Sequence, residues 1–149
     1  MYGLTNRYLF QLMQNNSFSF RGVFSSNNIP YFYDCNVSLI CNFSKSNEKG
    51  THYIAIYIME EKIFYFDPFG ADCLIKDICD YLTSYNKTII HSKCVIQHPF
   101  SFHCGYFCTG FILAIDENFT LEQYQSFFVD DNLLINDDII CDLLVTFLG

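Results

Sequence analysis

Four residues carry the chemistry this sequence could perform: His52, Asp67, Gln97 and Cys104. Cys104 follows a loop-like stretch, Gln97-His-Pro-Phe-Ser-Phe-His, in which Pro99 and Ser101 act as breakers. After it come Gly105 and an apolar run, Tyr106 to Ile115, long enough for a buried helix. A thiol at a helix start sits among unpaired N–H groups and the positive end of the helix dipole, and both favour a negatively charged sulfur. Gln97 lies seven residues upstream, near enough to fold back and aim its amide N–H at the same spot. Acyl transfer by a thiol requires an ionisable cysteine, an imidazole to take and return the proton, a group to orient that imidazole, and donors for the oxyanion. Cys104, His52, Asp67, and Gln97 with the Cys104 backbone N–H are the candidates for those four roles.

The elements around them must make remote residues converge. His52 to Ile58 reads as a strand, Glu60-Glu61 as a tight turn, and Lys62 to Phe66 as the returning strand. Asp67-Pro-Phe-Gly70 ends that hairpin, because Pro68 cannot continue a central ladder. With the turn at 60–61, residue 54 falls roughly opposite residue 67. His52 and Asp67 then share one open end of adjacent strands, where neighbouring side chains on one face are about 4.5–5.5 Å apart. Either they meet there, or they are a strand-end histidine and a turn aspartate with no contact.

The remaining chain supplies a frame. Thr5 can cap a first helix over roughly Asn6 to Gln14, with Tyr8, Leu9, Leu12 and Met13 at helical spacing. Ser17 to Tyr33 is aromatic but broken by Gly22, Ser25 to Asn28 and Pro30, and is expected as a loop with short extended pieces. Val37 to Phe43 is a strand candidate, and Ser44 to Gly50 a polar turn. Asp72 to Tyr85 reads as an amphipathic helix capped by Asp72. Thr88 to Ile90 and Cys94 to Ile96 read as one or two short strands. Thr120-Leu-Glu-Gln123 matches a capping box opening a helix through Phe128. Asn136 with Asp137-Asp138 starts a last helix to about Leu148. The expected whole is one α+β domain over residues 1–149, with a mostly antiparallel central sheet and a central helix carrying Cys104.

Composition narrows the function class. The chain has 149 residues, 51% hydrophobic and 19% aromatic, with 17 Phe, 11 Tyr and no Trp, which is ample material for one core. Its net charge is −8 and no basic cluster is present, which argues against binding that depends on neutralising nucleic-acid phosphates. No 18-residue uncharged apolar run exists, so no membrane span is expected. Met1 to Gln14 holds Asn6 and Arg7 and no continuous apolar core, so a secretory signal is not expected. Of the eight cysteines, Cys41, Cys73, Cys79, Cys94, Cys108 and Cys141 sit in apolar stretches, where a free thiol behaves as a small hydrophobe. This points to a reducing compartment.

Three stretches together resemble the adenovirus-type cysteine endopeptidases: Gly50-Thr-His-Tyr53, Phe66-Asp-Pro-Phe-Gly70, and Gln97 followed by Cys104-Gly-Tyr-Phe-Cys108. The ubiquitin-like-protein (SUMO) proteases belong to the same fold group and share the order His, acid, Gln, Cys. The Asp-Pro-Phe-Gly corner and the Gln-to-Cys spacing look closer to the adenovirus-type branch and its relatives in virus-like transposons and small DNA viruses. Phe20-Arg-Gly-Val-Phe24 also resembles the loop before the first core strand of that family. The resemblance implies a thiol endopeptidase cutting after small residues, Gly above all, and processing viral or virus-like structural precursors. It makes Cys104 the nucleophile, His52 the general base and acid, Asp67 the orienting group and Gln97 the oxyanion donor. It implies a polypeptide substrate with Gly near the scissile bond, no cofactor for the chemistry itself, an activating peptide as an option, and a monomer. Tyr53 stands where the family usually has Trp, and Asp67 where the adenovirus enzymes have Glu and the SUMO branch Asp. The chain is shorter than the adenovirus enzymes, and with its acidic balance this argues against a DNA cofactor.

Other readings compete. A deconjugating protease for ubiquitin-like modifiers would use the same four residues, and a catalytically inactive relative would use the cleft only to bind a peptide. His98, His103, Cys104 and Cys108 are ligand types in a tight cluster, but their spacing fits no common zinc pattern, and adjacent His103 and Cys104 are poorly placed to reach one ion. No metal is expected.

Overall fold

The structure, a computed structural model, describes residues 6–44 and 52–149. The expected cap Thr5, the turn residues 45–50 and Thr51 lie outside them.

Five strands form one sheet in the order β1 (Phe20–Ser25), β2 (Val37–Asn42), β3 (Tyr53–Ile58), β4 (Lys62–Phe66) and β5 (Thr88–His91). β2, β3 and β4 pair antiparallel, while the two edge strands pair parallel to their neighbours. The sheet separates two apolar layers because strand side chains alternate between faces. From β3, Ala55 and Tyr57 join the core built by α1 (Asn6–Asn16) and α3 (Cys104–Asp116). Ile54, Ile56 and Ile58 face the other way, onto Ile78, Leu82 and Tyr85 in and just after α2 (Lys76–Thr83). The short α4 (Leu121–Gln125) and the final α5 (Ile135–Leu148) complete the first layer.

α3 is the buried axis of the molecule. Every residue from Cys104 to Ile115 is buried. Two glycines let neighbours approach it closely. A Cβ on Gly110 would lie 2.6 Å from Ile140 Cδ1 and 2.7 Å from the Tyr124 hydroxyl, and one on Gly105 would lie 2.7 Å from Asn6 Oδ1. The C-terminal end is fixed by Asp116, whose carboxylate accepts hydrogen bonds from Ser17, from Ser19 at 2.6 Å and from Tyr57 at 2.8 Å. α4 opens on the capping box expected at Thr120 and Gln123, with both reciprocal bonds formed.

Several local expectations are corrected. Ser17 to Tyr33, expected as a loop with short extended pieces, contains the regular edge strand β1 at Phe20–Ser25, because pairing with β2 overrides the interrupting Gly22. α2 starts at Lys76 rather than at a cap on Asp72, and Ile75 at its start has an extended backbone. Cys94 to Ile96 is not a strand. The N–H groups of Ile96 and Gln97 both go to the Pro68 carbonyl, each at 3.0 Å, and not to a ladder. α4 ends at Gln125, short of Phe128. Among the described residues no helix is long and apolar enough to cross a membrane.

Tyr124 is fully buried and its hydroxyl donates to the Phe107 carbonyl, so it has no room to yield at Gly110. We expect Gly110→Ala to destabilise the fold by about 1–3 kcal/mol, the usual cost of overpacking, measured by urea unfolding. A neutral result would contradict the close packing of α3 on α4 and α5.

Candidate active site

The hairpin register brings two of the four residues together. Ala55 pairs with Phe66, so Ile54 and Asp67 come next in line. Two residues beyond Ile54, the His52 carbonyl accepts the Phe43 N–H at 3.0 Å, which continues the β2–β3 ladder and fixes the His52 backbone. His52 Nε2 lies 2.9 Å from Asp67 Oδ1 in a buried contact. With Nε2 turned to the carboxylate, Nδ1 is the nitrogen left to serve the Cys104 sulfur.

Asp67 is held from several sides. Its Oδ1 also accepts the Phe69 N–H at 2.9 Å, and its own N–H donates to Ser92 Oγ at 3.0 Å. The Gly70 N–H closes the Asp67-Pro-Phe-Gly70 turn on the Asp67 carbonyl at 2.8 Å. Gly70 has φ +68°, and a Cβ there would lie 3.0 Å from the Lys93 and Cys94 carbonyls. Glycine alone meets both conditions without strain.

The same turn positions Gln97. Its backbone N–H donates to the Pro68 carbonyl, and its side-chain Nε2 donates to the Ser101 carbonyl at 3.0 Å. A carbonyl only accepts, so the amide atom facing Ser101 is the nitrogen. One further N–H of that amide remains for the cleft. Gln97 Oε1 is buried without a partner, at a cost of about 1–3 kcal/mol.

Cys104 is the first residue of α3. The first-turn N–H groups have no carbonyl one turn back within the helix, so the Cys104 N–H is a second oxyanion donor candidate. The loop before it is tied to α5. Ser101 Oγ donates to Asp137 Oδ1 at 2.8 Å and accepts the His103 N–H at 3.1 Å. Buried Asn136 donates to the Ile96 and Val129 carbonyls, each at 2.8 Å. Sequence reasoning assigned Asn136 and Asp137 only to a helix start. In the fold they anchor the segment that carries Gln97 and Cys104.

His52, Gln97 and Cys104 line one cleft of about 430 Å³, together with Asn6, Tyr53, Phe69, Pro99, Ser101 and Phe102. Asp67 stands behind His52. The other rings near the site went unread in the sequence. Phe69 stacks on the His52 imidazole, with centroids 4.7 Å apart and planes at 21°, and Phe43 meets it edge-on at 4.9 Å. The Asp-Pro-Phe-Gly corner contained the signal for Phe69, since the turn swings residue 69 back over residue 67.

Burial by itself lowers the affinity of His52 for a proton. The hydrogen bond to Asp67, the nearness of Cys104 and the negative charge of the Asp67 carboxylate outweigh it and raise the imidazole from 6.5 to about 9. The site therefore favours an imidazolium paired with the Asp67 carboxylate. Cys108, one turn along α3, is fully buried, with its thiol held well above the ordinary value by desolvation, and its Sγ donates to the Tyr53 carbonyl at 3.4 Å. It is core. Among the described residues no group of three or more His, Cys, Asp or Glu could hold a metal ion. A thiol at a helix start, an imidazole backed by a buried carboxylate, and an amide N–H at the same cleft are the equipment for acyl transfer through a thioester.

No protein-family model and no curated protein matches the chain. Among the solved structures similar to it are the following two. One is the ASFV pS273R protease, at 19% identity and TM-score 0.46, over 76% of this chain and 44% of that one. The other is AvrA, in a delL154 form with IP6 and CoA, at 16% identity and TM-score 0.48, over 93% of this chain and 54% of that one. The chain thus spans about half the length of the solved structures it matches.

Two outcomes follow from this geometry. Because the folded pKa of His52 is raised, its stabilising contribution is full below the unfolded value of 6.5 and is lost as pH rises through about 9. Asp67→Asn should therefore lower stability at pH 6, by up to roughly 3 kcal/mol, and have little effect at pH 9.5. An equal loss at both pH values would contradict the charge pairing. Phe69→Leu keeps the apolar volume but removes the ring face. We expect the His52 pKa, followed by NMR of the imidazole, to fall in that variant, and an unchanged titration would remove Phe69 from the account.

Proposed function

We propose that the chain is a thiol endopeptidase that cleaves polypeptides after small residues, Gly above all. The observation that carries this reading is the single cleft in which Cys104 opens α3, His52 contacts Asp67 at 2.9 Å, and the Gln97 amide is oriented by the Ser101 carbonyl. His52 takes the proton from Cys104, and the thiolate attacks the scissile carbonyl. The Gln97 and Cys104 N–H groups receive the oxyanion. The His52 imidazolium then protonates the leaving amine, and the acyl-enzyme forms. His52 next activates water, which releases the acid and restores the thiol.

Tyr53, Phe69, Pro99 and Phe102 line that cleft beside Cys104, and the preference for Gly itself is what the resemblance to the adenovirus-type cysteine endopeptidases implies. The chemistry needs no metal or organic cofactor, because every role is filled by a side chain or a backbone N–H. The substrate role we favour is the processing of viral or virus-like structural precursors, by a monomer in a reducing compartment or a virion. An activating peptide is compatible with this reading. The net charge of −8 disfavours a DNA activator.

A peptide library with Gly-Gly sites, read by mass spectrometry of the products, tests the reading. We expect cleavage after Gly, none with Cys104→Ala or His52→Ala at retained circular dichroism, and a kcat reduced roughly 100- to 1,000-fold in Gln97→Ala. Cleavage that persists in Cys104→Ala would refute the site. Action on folded ubiquitin-like conjugates but not on precursor-like peptides would replace the processing role with deconjugation.

A further inference from the structure

All eight cysteines are unbridged, and most are kept apart from chemistry. Cys41 and Cys108 are fully buried, and desolvation pushes the Cys41 thiol up to about 12. Cys35 and Cys94 are exposed. Cys73 and Cys79 are different. Their sulfurs lie 3.1 Å apart, and the Cys79 thiol is also 3.3 Å from the Cys73 carbonyl. Both side chains are half-buried, so small solutes can reach them. Among the described residues this is the one pair of thiols in hydrogen-bond contact.

The backbone around the pair suits closure. Cys79 sits on the first turn of α2, which holds it against the sheet through Ile78 and Leu82. Cys73 sits in the non-helical segment 71–75 between the Asp67–Gly70 turn and α2. A disulfide is about 2.05 Å long. The sulfurs therefore need to close by about 1 Å, and the segment on the Cys73 side, which is neither helix nor strand, can supply that shift. The buried Tyr65 hydroxyl, which has no partner of good hydrogen-bond geometry, lies beside Cys73. The pair is thus built into the sheet face and does not protrude from it.

We propose that Cys73 and Cys79 form a reversible disulfide site that takes its oxidising equivalents from small-molecule disulfides such as oxidised glutathione. One protein thiolate attacks a sulfur of the small disulfide, forms a mixed disulfide and expels one small thiolate. The second protein thiolate attacks the mixed disulfide, closes the Cys73–Cys79 bond and expels the other. Two protein thiols are oxidised, one small disulfide is reduced to two small thiols, and the two protons end on those thiols. Burial and the Cys79 hydrogen bond push the Cys73 thiol up to about 12, so the exchange quickens as pH rises. The closed bridge staples the segment that follows the Asp67–Gly70 turn to α2. The site is independent of the Cys104 chemistry and stands or falls apart from it.

The test uses the whole chain. The protein is equilibrated in reduced and oxidised glutathione, quenched by alkylation, cut with trypsin without reduction and weighed. Lys76 lies between the two cysteines, so Cys73 falls in peptide 63–76 and Cys79 in peptide 77–87. We expect these two peptides to appear linked, two hydrogens lighter than their sum, as the oxidised fraction rises. The link should vanish on addition of reductant and in Cys79→Ser. Recovery of peptides 63–76 and 77–87 unlinked, under conditions where Cys35 and Cys94 take up glutathione, overturns the proposal. The wild-type result decides this alone, so a variant that fails to fold does not affect it.

Discussion

The site depends on one β-turn, Asp67-Pro-Phe-Gly70. Its first residue gives a carboxylate oxygen to His52 Nε2 and to the Phe69 N–H. The Pro68 carbonyl takes the N–H groups of Ile96 and Gln97, the third residue lays its ring on the imidazole, and Gly70 makes room for the Lys93–Cys94 backbone. Four consecutive residues thereby fix the positions of His52, Asp67 and Gln97 relative to one another. Proline suits the second place because the turn has already left the ladder, where a missing N–H would cost a hydrogen bond.

Cys104 reaches that site from a different element, at the start of α3. α3 runs through the core, with Asp116 tied to β1, β3 and the end of α1 at one end and Gly105 pressed under Asn6 at the other. The preceding loop is held by Asn136 and Asp137 of α5. Cys104 is therefore placed by rigid packing on both flanks, the condition under which a thiol and an imidazole can be kept at reacting distance before any substrate binds. The charge arrangement follows from the same packing. A buried imidazole would ordinarily shed its proton, and here the Asp67 carboxylate and the nearby Cys104 reverse that tendency.

What could be read in the sequence was what short-range rules govern. The β3–β4 hairpin was legible because its turn length fixes its register, and the register alone puts residue 54 opposite residue 67. The apolar run after Cys104 and the Thr120 capping box were legible because helix signals are local. β1 was not, since its pairing with β2 is parallel and non-local and Gly22 interrupts its pattern. Neither was the fate of Cys94 to Ile96, whose apolar character fits a strand but whose N–H groups are claimed by Pro68. The roles of Asn136 and Asp137 also lay hidden, because they bond to residues some 36 to 40 positions away in the chain.

The account turns on whether Cys104 is activated by His52, and site-resolved alkylation of the folded protein measures this directly. With a small alkylating agent near neutral pH, Cys104 should be modified faster than the exposed Cys35 and Cys94 despite being only 8% exposed, and His52→Ala should abolish that advantage. If Cys104 reacts more slowly than Cys35 and Cys94, at a rate that His52→Ala leaves unchanged, the two residues are neighbours in the cleft without forming a nucleophile.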